Sequence, residues 1–156
     1  MKPLSPNVLR ELISLNQQVN KNLINKGYVP PKKTKDGHIK VGSFIIKKDA
    51  RGFYDILDID GFMMVSNLNL PQSAAILANK MALGIRTDNE IVILDAYYGH
   101  YSFDEQHCKH LYEKNCDRKN YAKADLFLEK LQNARLKKKY FYNRITEGFS
   151  KLIKII

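Results

Sequence analysis

His100, Asp104 and His107 stand at i, i+4 and i+7, so a helix through them carries two imidazoles and a carboxylate on one side, with Cys108 and His110 close by. Imidazole nitrogen and carboxylate oxygen at such spacing are ligands for zinc or iron. A second set of ligands is missing, because the chain has no His-Glu-x-x-His, no Cys-x-x-Cys pair and no Glu-x-x-His motif. The three residues therefore read as polar groups facing solvent or an interface, and a metal-dependent enzyme is the lesser alternative. Asp55, Asp58 and Asp60 precede Gly61, but a calcium loop needs ligands at alternate positions and a closing bidentate glutamate, and these acids read as the exposed face of a strand running into a turn. Cys108 has no convincing triad, and Cys116 falls in an expected loop without an activating neighbour. No glycine loop for phosphate is present. The expectation is a non-enzymatic protein without a cofactor.

The charges suggest a different chemistry. Lys123, Lys130, Lys137, Arg144 and Lys151 recur at every seventh position. On a helix that interval keeps them in one file, where they can meet phosphates or carboxylates without reading a sequence of bases. Lys32, Lys33 and Lys35 form a second basic group close to Pro30 and Pro31. The net charge of +10 is unevenly spread: residues 1–40 carry +6, residues 41–116 carry −3 and residues 117–156 carry +7. Such polarity is common in proteins that release counterions from a polyanion. It also suits a fold or an oligomer that holds its basic ends against an acidic middle, and a basic file beside an apolar seam can simply keep its ammonium groups in water.

The elements that must position these groups can be read from spacing. Ser5 followed by Pro6 is a helix start; Val8, Leu12, Leu15, Val19 and Leu23 recur at steps of three and four, and Gly27 supplies the stop. The adjacent prolines and the lysines of residues 29–39 predict a flexible basic linker. From residue 40 the period changes to that of strands, and "SFIIKK", "FYDILDI" and "FMMVS", separated by the turn formers "DARG" and "DG", predict a three-stranded antiparallel meander. Asn69, Pro71, an alanine-rich run and Gly84 predict a short helix over one face of it, and the other face calls for a further element.

Residues 87–156 should form a long antiparallel helical hairpin. The capping box "TDNE" opens its first helix, whose seam runs through Ile91, Leu94, Tyr98, Tyr101, Cys108 and Tyr112, with Gly99 as a kink. The second helix, about 118 to 147, has Ala124, Leu131, Lys138, Ile145 and Leu152 at one seam position and Phe127, Ala134 and Phe141 at the other. A turn near residue 116 puts Asp95 opposite Lys138, an expected internal ion pair. The apolar tail "FSKLIKII" reads as a docking segment for another subunit, or as a last turn folded back on the domain.

A chain of 156 residues suits one compact domain of α+β class. No apolar run is long enough to cross a bilayer, the first residues lack the order of a signal peptide, and two cysteines fit a reducing compartment, so the chain reads as cytosolic. A sheet of three strands followed by a helix resembles the arm-binding domains of phage-type integrases, which lay such a sheet in the major groove. The acids Asp55, Asp58 and Asp60 depart from that pattern, and no binding residue carries over. "GFYDILDIDG" through "LPQSAAILANKMALG", with the tyrosine-rich and lysine-rich helices that follow, is similar to small proteins of large tailed bacteriophages of aquatic bacteria. That resemblance brings no activity with it and implies a virion or phage-assembly role. The leading expectation is a basic binding or assembly protein that contacts nucleic acid or an acidic protein surface. The alternative is a virion structural or assembly component, oligomeric through its C-terminal helix.

Overall fold

The structure, a computed structural model, describes residues 4–85, 90–147 and 149. Helix α1 spans Pro6–Lys26, and Ser5 caps it by accepting the Val8 N–H on its hydroxyl at 3.3 Å. Five strands follow: β1 (Lys32–Lys33), β2 (Ile39–Val41), β3 (Phe44–Lys48), β4 (Tyr54–Leu57) and β5 (Met63–Leu68). They form one antiparallel sheet in the order of the chain. Helix α2 (Pro71–Ala82) crosses the sheet, and α3 (Glu90–Asp117) and α4 (Tyr121–Thr146) make the helical hairpin. The class is α+β, as the sequence suggests, with five strands where three are expected.

The extra strands are β1 and β2, which draw residues 29–39 into an ordered hairpin in place of a flexible linker. Lys32 and Lys33 pair with Lys40 and Ile39, and the turn between them is closed by Thr34 N–H to His38 O at 2.8 Å and Gly37 N–H to Thr34 O at 3.1 Å. Gly37 sits at φ 81, a conformation that costs a residue with a Cβ. Proline and lysine suggest a solvated coil, but both also suit a short edge strand with one side open to water.

Val41, Ile46, Ile56 and Leu68 point from the sheet to Ala74, Ala75, Ile76, Leu77 and Ala78 of α2, and all are buried in one core that continues into Ile91 and Leu94 of α3 and Phe141 and Ile145 of α4. The opposite sheet face, with Lys40, Ile45, Leu57 and Met63 in one row across the strands, remains partly or wholly exposed. The element expected to cover it is absent among the described residues.

Helix α1 has the expected period but buries a different face. Ile13, Asn16, Asn20 and Leu23 point inward, while Val8 and Leu15 are exposed. Two asparagines are worth burying because their amides donate to the last turn of α4: Asn16 Nδ2 to Arg144 O at 3.1 Å and Asn20 Nδ2 to Ile145 O at 3.5 Å. Asn16 Oδ1 in turn accepts from Lys80 Nζ at 3.0 Å.

The seam of α4 follows the heptads, with Ala124, Leu131, Ala134, Phe141 and Ile145 buried. Tyr97 and Tyr101 of α3 stack on Phe141 with ring centroids 5.0 and 5.8 Å apart. Asp95 does not pair with Lys138. Its carboxylate accepts the backbone N–H groups of Asn69 (2.7 Å) and Leu70 (3.1 Å), at the N-terminal end of α2. Burial pushes its pKa up, against the pull of these donors. Lys138 pairs with Glu105 instead, at 3.0 Å. The turn falls at residues 118–120, and helical side chains lean toward their own N-termini, so Lys138 reaches toward the turn and Glu105 away from it. Gly99 is a contact point: a Cβ there would clash with the Asn69 side chain, which packs against α3 and donates to Asp95. Residues 87–89 of the capping box and residues 150–156 lie outside the described residues; Phe149 is buried in the core.

Candidate functional site

Helix α4 exposes Lys123, Lys130 and Lys137 on one side, each separated by seven residues, so the file spans about 21 Å at 1.5 Å per residue. None of the three forms an ion pair among the described residues. Their positions follow from the seam: each immediately precedes a position facing α3 (Ala124, Leu131, Lys138), so the methylenes lie beside the packed edge and the ammonium points outward. Lys130 Nζ lies 5.6 Å from the centre of the Phe127 ring. Lys137 lines a concavity of about 260 Å³ where α1 meets the hairpin, and Arg10 lines it too. Sequence spacing gave no hint of Arg10, which joins the file only because α1 packs back against α3 and α4.

Arg144 is differently placed. Its guanidinium lies over the Tyr140 ring at 5.2 Å and pairs with Glu147 at 3.3 Å, and Glu147 also accepts from Gln17 Nε2 at 3.0 Å. Part of its charge is thus answered within the chain. Lys151 lies outside the described residues.

The second basic group is an ordered part of the sheet. Lys32, Lys33 and Lys35 are exposed on the β1–β2 hairpin, and Lys40, Lys47 and Lys48 extend the cluster over β2 and β3. Lys32 and Lys40 are direct cross-strand partners. Like charges directly opposite each other are destabilising, and neither has a carboxylate within ion-pair distance among the described residues. Lys33 and Lys48 line a concavity of about 220 Å³ on the other face, floored by Ile39, Ile46 and Tyr54, and Lys48 Nζ lies 5.9 Å from the Tyr54 ring centre. Lys40, Lys47 and Lys48 become neighbours of Lys32 and Lys33 only when residues 29–39 fold as a hairpin, which spacing along the chain does not reveal.

Between α3 and α4, Glu105 accepts from Lys138 at 3.0 Å and Arg135 at 3.4 Å. The Lys138 hydrogen bond, opposed by partial burial and helped by Arg135, holds the Glu105 carboxyl below its usual range. Burial works against the Lys138 charge, yet Glu105 and Tyr98 outweigh it and raise its pKa.

His100 and Asp104 face each other at 3.5 Å, with both side chains in contact with solvent. His107 stacks on Phe103 at 6.1 Å. Among the described residues no three His, Cys, Asp or Glu side chains are disposed to hold a metal ion. No helix among them is long and apolar enough to cross a membrane.

Neither a protein-family model, nor a curated protein, nor a solved structure matches the chain.

Proposed function

We propose that the protein is a basic binding protein that holds a polyanion, nucleic acid in the first instance, through the α4 file Lys123, Lys130 and Lys137, with Arg144 and, from sequence spacing alone, Lys151 as further contacts and Lys32, Lys33 and Lys35 as a second group. The observation that carries the reading is the file itself: three outward ammonium groups in register on a rigid helix, unanswered by carboxylates among the described residues. A rigid row of this kind meets phosphates without paying to order long side chains on a loop, and it discriminates by charge spacing instead of base identity. The test is fluorescence anisotropy with two unrelated duplex DNAs at several salt concentrations. Similar affinities for both are expected, weakening steeply as salt rises. The triple variant Lys123→Ala, Lys130→Ala, Lys137→Ala should flatten the log–log salt slope by about 2.7, the value for three lost phosphate contacts. Equal slopes for wild type and variant would refute the assignment.

A second reading, a virion structural or assembly component, draws on the long hairpin. Beyond Tyr97, α3 buries no residue, while Phe103, Leu126 and Leu136 stay 66, 48 and 69 % exposed. Such a half-covered pair of helices gains from neighbouring helices. Concentration-dependent oligomers that ignore added DNA would favour this reading over the first.

A further inference from the structure

The β4–β5 hairpin ends in the most exposed apolar group of the sheet. Ile59 is 71 % exposed, Phe62 69 %, Met63 57 % and Met64 50 %. Their presentation is built into the turn. The Asp58 carboxylate accepts the N–H groups of Asp60 and Phe62, both at 2.9 Å, and Asp58 N–H donates to Phe62 O at 2.9 Å. Gly61, at φ 86, completes the bend. The tip is therefore a defined knob, apolar at its centre, with the carboxylates of Asp58 and Asp60 beside it. Those two negative charges disfavour a nucleic acid or an anionic lipid surface as its partner.

A receptor of opposite character lies at the other side of the sheet. Val29, Pro30, Lys32, Lys40 and Gly42 line a concavity of about 290 Å³. Its walls are apolar and its charged groups are the two lysines that oppose each other across β1 and β2. A phenyl ring fits a space of that size, and incoming carboxylates would relieve the repulsion between the lysines. β2 and β5 are separated by two strands in the sheet order, so the knob and the concavity of one copy lie about 14 Å apart and cannot meet each other.

We propose that the knob of one copy docks in the concavity of a second, Phe62 and Ile59 seated between Val29 and Pro30, with Asp58 and Asp60 against Lys32 and Lys40. The two edges of the sheet fit this division of labour. β1 is two residues long, wholly basic and preceded by two prolines, devices that turn away strand pairing. β5 is interrupted by register shifts against β4, with Asn67 at φ 62, so it too is poorly shaped for extending the sheet. Contact through side chains, a knob in a socket, is what remains at both sides.

The surface shares no residue with the α4 file and shares only Lys32 with the second basic contact, so the test is run without nucleic acid. Sedimentation velocity over a concentration series should show wild-type self-association that weakens as salt rises. Phe62→Ser and Lys40→Glu should each weaken it at least tenfold, and Ile59→Ser should do the same if one tip variant folds poorly. The triple α4 variant should associate like wild type. Phe62→Ser keeps an intact socket and Lys40→Glu an intact knob, so an equimolar mixture should form a 1:1 complex that neither forms alone. A wild type that stays monomeric up to millimolar concentration, a Lys40→Glu protein that associates normally, or a mixture that stays monomeric would overturn the proposal. None of these outcomes depends on whether DNA binds.

Discussion

Lys80 offers the sharpest test of the interior. It sits on α2 with no solvent exposure; its ammonium donates to Asn16 Oδ1 at 3.0 Å, and Glu90 is the acid whose charge opposes its deprotonation. Burial lowers its pKa from 10.5 to about 8. Below pH 8 the folded and unfolded chains both carry the proton, and the folded state bears the full cost of a desolvated ammonium. Between pH 8 and 10.5 the unfolded chain binds more protons, so stability rises with pH, and above that range the penalty is gone. The displacement is worth about 3 kcal/mol in all, of which about 2.5 kcal/mol is recovered by pH 10. Other lysines and tyrosines titrate over the same range, so the quantity to measure is the difference between wild type and Lys80→Met. Urea unfolding at pH 7 and pH 10 and constant ionic strength should show that gap moving in favour of wild type by about 2.5 kcal/mol. A gap that moves by less than about 0.5 kcal/mol would mean that Lys80 keeps a nearly ordinary pKa in the folded state, and the reasoning from burial would fail.

Gly99→Ala forces a methyl group into the Asn69 side chain and should cost about 1 to 3 kcal/mol, read as a fall in melting temperature of roughly 2 to 12 °C. A neutral result would show that Asn69 can move aside. Asp95→Ala leaves the N–H groups of Asn69 and Leu70 without their acceptor in a buried place and should cost about 2 to 4 kcal/mol in urea unfolding, far more than Asp104→Ala on the exposed side of the same helix. Glu105→Gln should matter little at neutral pH, under about 1 kcal/mol, because its partners are partly solvated. The Glu105 carboxyl is held below its ordinary range, so its small contribution is present above the unfolded carboxylate pKa and lost as pH falls through the folded one; acid unfolding curves of wild type and Glu105→Gln should converge there.

Local chemistry made several elements legible in advance. Ser5 and Pro6 start α1, the glycine turns separate β3, β4 and β5, and the α4 heptads name the buried seam, because caps, turns and a packing stripe depend on residues a few positions apart. What escaped were interactions that close over long separations. Asn16 and Asn20 look like solvent-facing residues until α4's last carbonyls arrive, and counting them as polar turns the buried face of α1 by one residue. Asp95 reads as the partner of Lys138 across the hairpin, and nothing within its own helix says that α2 begins against it. The basic hairpin looks like coil in the sequence for a related reason: two prolines and three lysines are equally at home in water and on an edge strand, and only pairing with Ile39 and Lys40 decides between them. The α4 file was visible as spacing, but Arg10 and Lys40, Lys47 and Lys48 join the basic surfaces through tertiary contacts alone.

The buried amides of α1 also bear on how the chain is made. Asn16 is 128 residues away from the carbonyl it satisfies and Asn20 is 125 from its own. At about 5 to 20 residues per second, a ribosome needs roughly 6 to 25 s to supply those acceptors after the asparagines emerge. During that interval the two buried amides lack these acceptors, although Lys80 of α2 is already present to donate to Asn16. The sheet and α2, whose partners are near in the chain, can assemble early; the two amides of α1 stay unsatisfied until the final turn of α4 has been translated.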